Sequence, residues 1–224
     1  VSGGLALITI LIWLWTGTAV IPEKPKKDIG LDVTVPLYAS GAKSVGWWAT
    51  FITMIGDMSA FGSLVFGYFF FWTVHENFPP ADAAGPGVFW PVLGLGLIAA
   101  SWALTLLARH CNFRDQAAGF YGSLGLAAIC TLAGVYSMWA GPHFSGLDPT
   151  TNVYPATVWV LVLWCLIHLS IGLIMQLYCL ARRAAGRMTA VHDIDIRNVA
   201  LFWHFMLITI GVTVAVIAGF PEVL

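Results

Sequence analysis

Asp57 and His168 are the residues of this chain whose types and positions could carry chemistry. Asp57 stands near the middle of an apolar run from Val45 to Val74 and is the only acid in any of the chain's hydrophobic spans. A charged carboxylate at that depth costs roughly 2.5–3.5 kcal/mol on insertion scales, so it is either protonated or matched to a partner. His168 lies within a second apolar run, Thr157 to Leu180. Each stands twelve residues outward from the inner end of its run, Val45 or Leu180, which is roughly 18 Å at the helical rise. The two therefore share a depth on separate helices. We expect them to hydrogen-bond across a bundle as a neutral, proton-sharing pair, because desolvation disfavours separate charges. Such a pair binds one helix to another. Thr53, one turn before Asp57, is a local candidate to hydrogen-bond it.

Other site chemistries find less support. His168 and His204 are single histidines on different spans and about 10 Å apart in depth by the same rise, which makes bis-histidine haem ligation a weak reading. The chain shows no HExxH, no CxxC and no glycine-rich phosphate loop. No Ser/His/Asp set falls in one plausible pocket. A short proton relay through Asp57 and His168 is the remaining alternative, since intramembrane acids and histidines make such relays.

The elements that must position these residues are transmembrane helices. The chain is 59% hydrophobic and 9% charged, far below the charge content of a soluble domain, about 25%. Spans of about 20 apolar residues can be drawn at Val1–Ile21, Val45–Val74, Val88–Ala108, Ala117–Ala140, Thr157–Leu180 and Val199–Gly219. The fold class is thus an all-α polytopic bundle of six transmembrane helices. The domain organisation is a transmembrane helix at 1–21, a connector at 22–44 and a five-helix membrane domain at 45–224. All ten Lys and Arg lie on alternate loops: Lys24, Lys26, Lys27 and Lys43; Arg109 and Arg114; Arg182, Arg183, Arg187 and Arg197. The positive-inside rule makes those loops cytoplasmic and turns both ends of the segment outward. Arg182, Arg183 and Arg197 are candidates to hold lipid headgroups at the inner surface. Nothing points to nucleic acid.

The connector is rich in Pro and Gly, and Pro22, Pro25 and Pro36 forbid a continuous helix through it. Trp47 and Trp48 open the second span as interfacial anchors. Within that span Ser59, Ser63 and Gly67 form a small-residue face suited to close helix contact, and the aromatic run Tyr68 to Trp72 reads as an outer interfacial belt facing lipid. Trp164, Gly172 and Gln176 share the face of His168 at intervals of four. The third and fourth spans read as scaffold. Of the four cysteines, Cys111 falls in an inner loop and Cys130, Cys165 and Cys179 in spans; all read as structural. Val1 opens directly in an apolar segment without a charged n-region or cleavage site, which argues against a signal peptide and leads us to expect chain upstream.

The run SVGWWATFITMIGDMSAFGSLVFGYFFFWTVHENFPP resembles the third helix of cytochrome c oxidase subunit III, where a Trp is followed nine residues later by a buried Glu. Trp48 and Asp57 keep that spacing, with Asp for Glu. The segment NVALFWHF, with Trp203, His204 and Phe205, is similar to that family's last helix, and His168 to Gly172 is similar to its His-x-x-x-Gly element. The resemblance runs from Val45 to the end, about 80% of the chain by the length of that segment. Two departures stand out. Met206 and Leu207 follow the WHF triplet where the family often has Val-Asp, and Arg197 stands where it has a Glu. Val1–Ile21 and the connector look like the join of bacterial oxidases in which subunit I is fused to subunit III.

The resemblance implies an accessory, non-redox part of a haem-copper oxidase that reduces oxygen and translocates protons in a bacterial plasma membrane. It implies no haem or copper in this segment, these being expected in subunits I and II as partners. It further implies packing on subunit I, bound phospholipid, and support of proton uptake and oxygen access. An independent proton or ion transporter built on Asp57 and His168 is the competing reading.

Overall fold

The computed structural model describes residues 4, 5, 8, 9, 12, 27, 28, 34, 35, 44–80 and 85–222. Within them, five helices are long and apolar enough to cross a membrane: α1 Val45–Val74, α2 Phe89–Phe113, α3 Ala117–Phe144, α4 Val153–Ala184 and α5 Ile194–Val214. A π-helical turn, Ala215–Gly219, and a short 3-10 turn, Phe220–Glu222, prolong α5. The first expected span, Val1–Ile21, lies mostly outside the described residues, so the six expected helices stand here as five. In the connector a two-residue pairing, Lys27–Asp28 against Thr34–Val35, runs antiparallel; the rest of that segment lies outside the described residues.

Helix starts and stops follow local chemistry. Ser44 Oγ accepts from the Trp47 amide at the start of α1, and Asn152 Oδ1 accepts from the Tyr154 amide at the start of α4. Both satisfy donors that a helix start leaves unpaired. At the end of α4, Gly186 adopts φ 69°, and the Gly186 and Arg187 amides return to the carbonyls of Arg183 and Arg182. This is the left-handed stop for which glycine is suited. Asp115 makes the corresponding turn between α2 and α3 at φ 54°, a conformation that Asp tolerates better than most side chains.

Helix α5 is the centre of the bundle and touches α1, α2 and α4, while α2 and α3 pack as a hairpin that α4 closes. The most apolar stretch of α5 is 61% buried and that of α1 only 11%, so α1 leans on α4 and α5 from the edge. Trp203, Ile210, Leu161 and Leu169 are fully enclosed between α4 and α5 and their neighbours.

Several sequence expectations change here. The first described helix keeps its expected bounds, Val45–Val74, and the other four outrun their apolar windows at one or both ends, because backbone hydrogen bonding continues into the interface after the side chains turn polar. Cys111 is therefore helical and buried rather than in a loop. Arg182 and Arg183 lie in the last turn of α4 and Arg197 in the first turns of α5. Thr53 gives its hydroxyl to the Ala49 carbonyl one turn back, the usual alternative for a helical threonine, instead of to Asp57. The aromatic run at the end of α1 does not face outward as a belt. Helical period splits it: Tyr68 is buried against Phe78, Tyr154 and Phe220, and Phe70 is exposed. Ser59 and Ser63 are exposed, and each hydroxyl is turned to its own helix, so no described helix packs on that small-residue face.

Candidate intramembrane site

Helices α1 and α4 bring Asp57 and His168 together, with His168 Nε2 at 3.7 Å from Asp57 Oδ2. That is ion-pair reach, and longer than a direct hydrogen bond. The other ring nitrogen decides what proton states this contact can hold. His168 Nδ1 lies 2.9 Å from the Trp164 carbonyl. A carbonyl oxygen only accepts, so Nδ1 must carry a hydrogen and Nε2 is the nitrogen turned toward the carboxyl. Two arrangements are electrically neutral: a protonated Asp57 facing a bare Nε2, or a carboxylate facing an imidazolium. They differ by transfer of one proton across one gap.

The surroundings of the histidine are aromatic. The indole of Trp164 lies against the imidazole with centroids 4.0 Å apart. Phe205 from α5 stands at 6.1 Å, and Phe61 packs on Trp164. The His168 side chain is 10% exposed and that of Asp57 36%, so the histidine is sealed in the bundle while the acid faces the open side of α1.

The WHF triplet spreads in three directions because consecutive helical residues turn by about 100°. Trp203 points into the core. Its ring and that of Phe202 lie against Gly172, where a built-in Cβ would meet Phe202 Cε1 at 3.1 Å and Trp203 Cζ2 at 3.4 Å. A glycine at position 172 is what lets α4 and α5 approach this closely. Phe205 reaches His168. His204 turns to the opposite side, is exposed, and accepts a hydrogen bond from Trp102 Nε1 of α2 at 2.9 Å. His168 and His204 thus serve different interfaces. Trp48 is exposed at the start of α1, edge-on to Trp47 and Phe51.

Sequence reading left one polar centre unnoticed. Gln176 Nε2 donates to Ser101 Oγ and Thr105 Oγ1, and Gln176 Oε1 accepts from Thr131. Ser101 also donates to the Ala127 carbonyl. All four side chains are fully buried, and the network ties α4 to the α2–α3 hairpin. The available signal was a glutamine four residues beyond Gly172 in an otherwise apolar span, together with hydroxyl residues in two spans read as plain scaffold.

The three arginines proposed for lipid headgroups each hold an acid already. Arg182 Nε is 2.9 Å from Asp195. Arg183 reaches Asp115 at 2.8 Å and also bonds Asn112. Arg197 Nε is 2.7 Å from Asp193. Among the described residues, no three His, Cys, Asp or Glu side chains gather as a metal site.

These features define a multi-pass helical membrane protein in which an acid and a histidine on two helices come within ion-pair reach. No family model matches the chain. Cytochrome c oxidase subunit 3 of Locusta migratoria is 28% identical to it over 120 residues, 52% of this chain. The match covers 44% of the locust protein, so this chain spans less than half of that relative's length.

Proposed function

We propose that this chain is an accessory, non-redox segment of a respiratory haem-copper oxidase, similar in role to subunit III. The observation that carries the reading is the 120-residue similarity to an oxidase subunit 3, joined to a bundle of membrane-spanning helices. The oxidase would reduce oxygen with electrons from a donor such as cytochrome c and couple this to proton translocation. Its haem and copper would be held by subunits I and II, with subunit I fused upstream of Val1 in a bacterial plasma membrane. Both ends of the segment would face outward. The Asp57–His168 pair would fix α1 to α4 and shape the open side of α1, where phospholipid acyl chains can lie. Proton uptake and oxygen access to subunit I would be supported by that lipid-lined flank.

An independent proton transporter draws on the same Asp57–His168 contact. Against it, α1 and α4 run unbroken through that depth, whereas transporters place binding sites at interrupted helices. Purification from native membranes in mild detergent tests the two readings. We expect haem- and copper-bearing subunits to accompany the chain and the assembly to consume oxygen. A chain that purifies alone and dissipates a proton gradient in vesicles would overturn the oxidase reading, as would a haem absorbance band from the isolated segment.

A further inference from the structure

We propose that the membrane-facing side of α5 around His204 is the docking surface for a transmembrane helix from outside these 224 residues, one that presents a hydrogen-bond acceptor to His204 Nε2. Side-chain geometry carries this independently of the oxidase reading.

His204 is held in one tautomer by its neighbour. The indole N–H of Trp102 on α2 can only donate, and it gives its hydrogen to His204 Nδ1 at 2.9 Å. The two rings stand edge-on, with centroids 5.7 Å apart. A nitrogen that accepts carries no hydrogen, so the ring hydrogen sits on Nε2. The imidazole thus presents a fixed donor on its far side. His204 is exposed, and among the described residues nothing accepts from Nε2.

The surface around that donor is apolar. His204, Ile208 and Val212 recur at intervals of four and form one exposed stripe on α5, with Ile208 55% and Val212 38% exposed. Ala103, next to Trp102 on α2, is exposed as well. His204 lies within the apolar span Ile194–Gly219. It stands seven residues outward of Arg197, roughly 10 Å at the helical rise. Hydrocarbon offers no acceptor at that depth, and ionisable side chains in spans almost always face protein or a water-filled cavity. The other sides of α5 are covered by α1, α2 and α4, so this stripe is the side on which a further element would lie.

The possible occupants differ in what they offer a donor. A phospholipid carries its oxygens near the headgroup level that Arg197 marks, about two helical turns short of His204. A second copy docking through the same stripe would bring two like donors together, since a twofold interface uses one patch twice. A partner helix meets the need. Its backbone carbonyls are spent within the helix, so the acceptor is a side chain: a serine, threonine, asparagine, glutamine or carboxyl. Interhelical hydrogen bonds of this kind tie membrane helices together.

The test begins in native membranes, with the full polypeptide that carries this chain. Ile208, one turn from His204, is replaced by the photoreactive p-benzoylphenylalanine, and the cross-linked peptide is identified by mass spectrometry. We expect a membrane-spanning peptide from outside the 224 residues, with an acceptor side chain in its span. Two variants then separate the outward donor from the Trp102 contact. His204→Phe keeps a ring and loses both. His204→Gln places an amide N–H near where Nε2 stood and loses only the bond from Trp102. Because both lose that bond, any effect on the bundle itself is common to them. Only His204→Phe should weaken retention of the partner during detergent titration, by about three- to fifteenfold, the range of interhelical polar contacts in membranes. Equal retention in the two variants, whether reduced or intact, would overturn the proposal. So would cross-linking to lipid alone, to Val1–Ile21 or to a second copy. A cross-linked partner without haem or copper subunits would sustain this docking surface while counting against the oxidase reading. Copurified oxidase subunits with no cross-link from position 208 would do the reverse.

Discussion

Replacing Asp57 by leucine isolates what the Asp57–His168 contact contributes to the bundle. The insertion cost of an intramembrane acid is common to α1 docked and α1 detached within the bilayer, so it cancels, and only the coupling to His168 remains. Interhelical polar contacts in membranes average about 0.6 kcal/mol and reach about 1.7. At 3.7 Å the contact is looser than a direct hydrogen bond, which places the coupling at about 0.5–1 kcal/mol on that scale. Helix α1 gives this small term leverage, because it sits at the edge of the bundle and its buried side chains are few, with Met54, Phe61 and Tyr68 the main ones. A double-mutant cycle of Asp57→Leu, His168→Leu and the double variant, read as helical unfolding in detergent, should show that coupling. The midpoint of Asp57→Leu should fall by about 1–4 °C for a chain of this size. Asp57→Asn keeps volume and a donor for the bare Nε2, so it should stay close to wild type in stability and in turnover of the assembled oxidase. Strict additivity of the two leucine variants would refute the pair. Loss of all oxygen consumption in Asp57→Asn would make the residue an obligatory proton carrier and refute the structural role.

Three further outcomes are expected. Gly172→Ala forces a methyl against Phe202 and Trp203 and should destabilise the chain by about 1–3 kcal/mol, the range of overpacked cores; an unchanged melting midpoint would show that α4 and α5 part freely. Gln176→Leu removes three hydrogen bonds to Ser101, Thr105 and Thr131 and should cost about 1–2 kcal/mol at the per-bond scale of membrane interiors, measured by the same unfolding assay. Because Cys111 is buried, topology needs introduced thiols: Arg114→Cys and Glu76→Cys, both at exposed positions, should label with an impermeant maleimide from opposite sides of the membrane, Arg114→Cys from the cytoplasm. Labelling of both from one side would contradict the charge-based orientation.

What the sequence determines by itself is position along the membrane normal. Helical rise is constant, so counting residues from the ends of apolar runs puts Asp57 and His168 at one depth, and the apolar runs mark each of the five described helices to within a few residues. The alternation of cations among loops gives an orientation by the same one-dimensional logic. Rotation about each helix axis is a different matter. In a soluble helix the polar face reports which side meets water, but in a bilayer lipid and protein interior are equally apolar, and these helices are apolar nearly all round. Only tertiary packing decides that Tyr68 turns inward while Phe70 turns out, and that His204 serves α2 while Phe205 closes over His168. Gln176 finds three hydroxyls on two other helices for the same reason. Packing also sets which cations are spent. Arg182, Arg183 and Arg197, side by side with Arg109 in any count of positive charge, each meet an acid brought near by a helix end, while Arg109 has none within ion-pair range among the described residues.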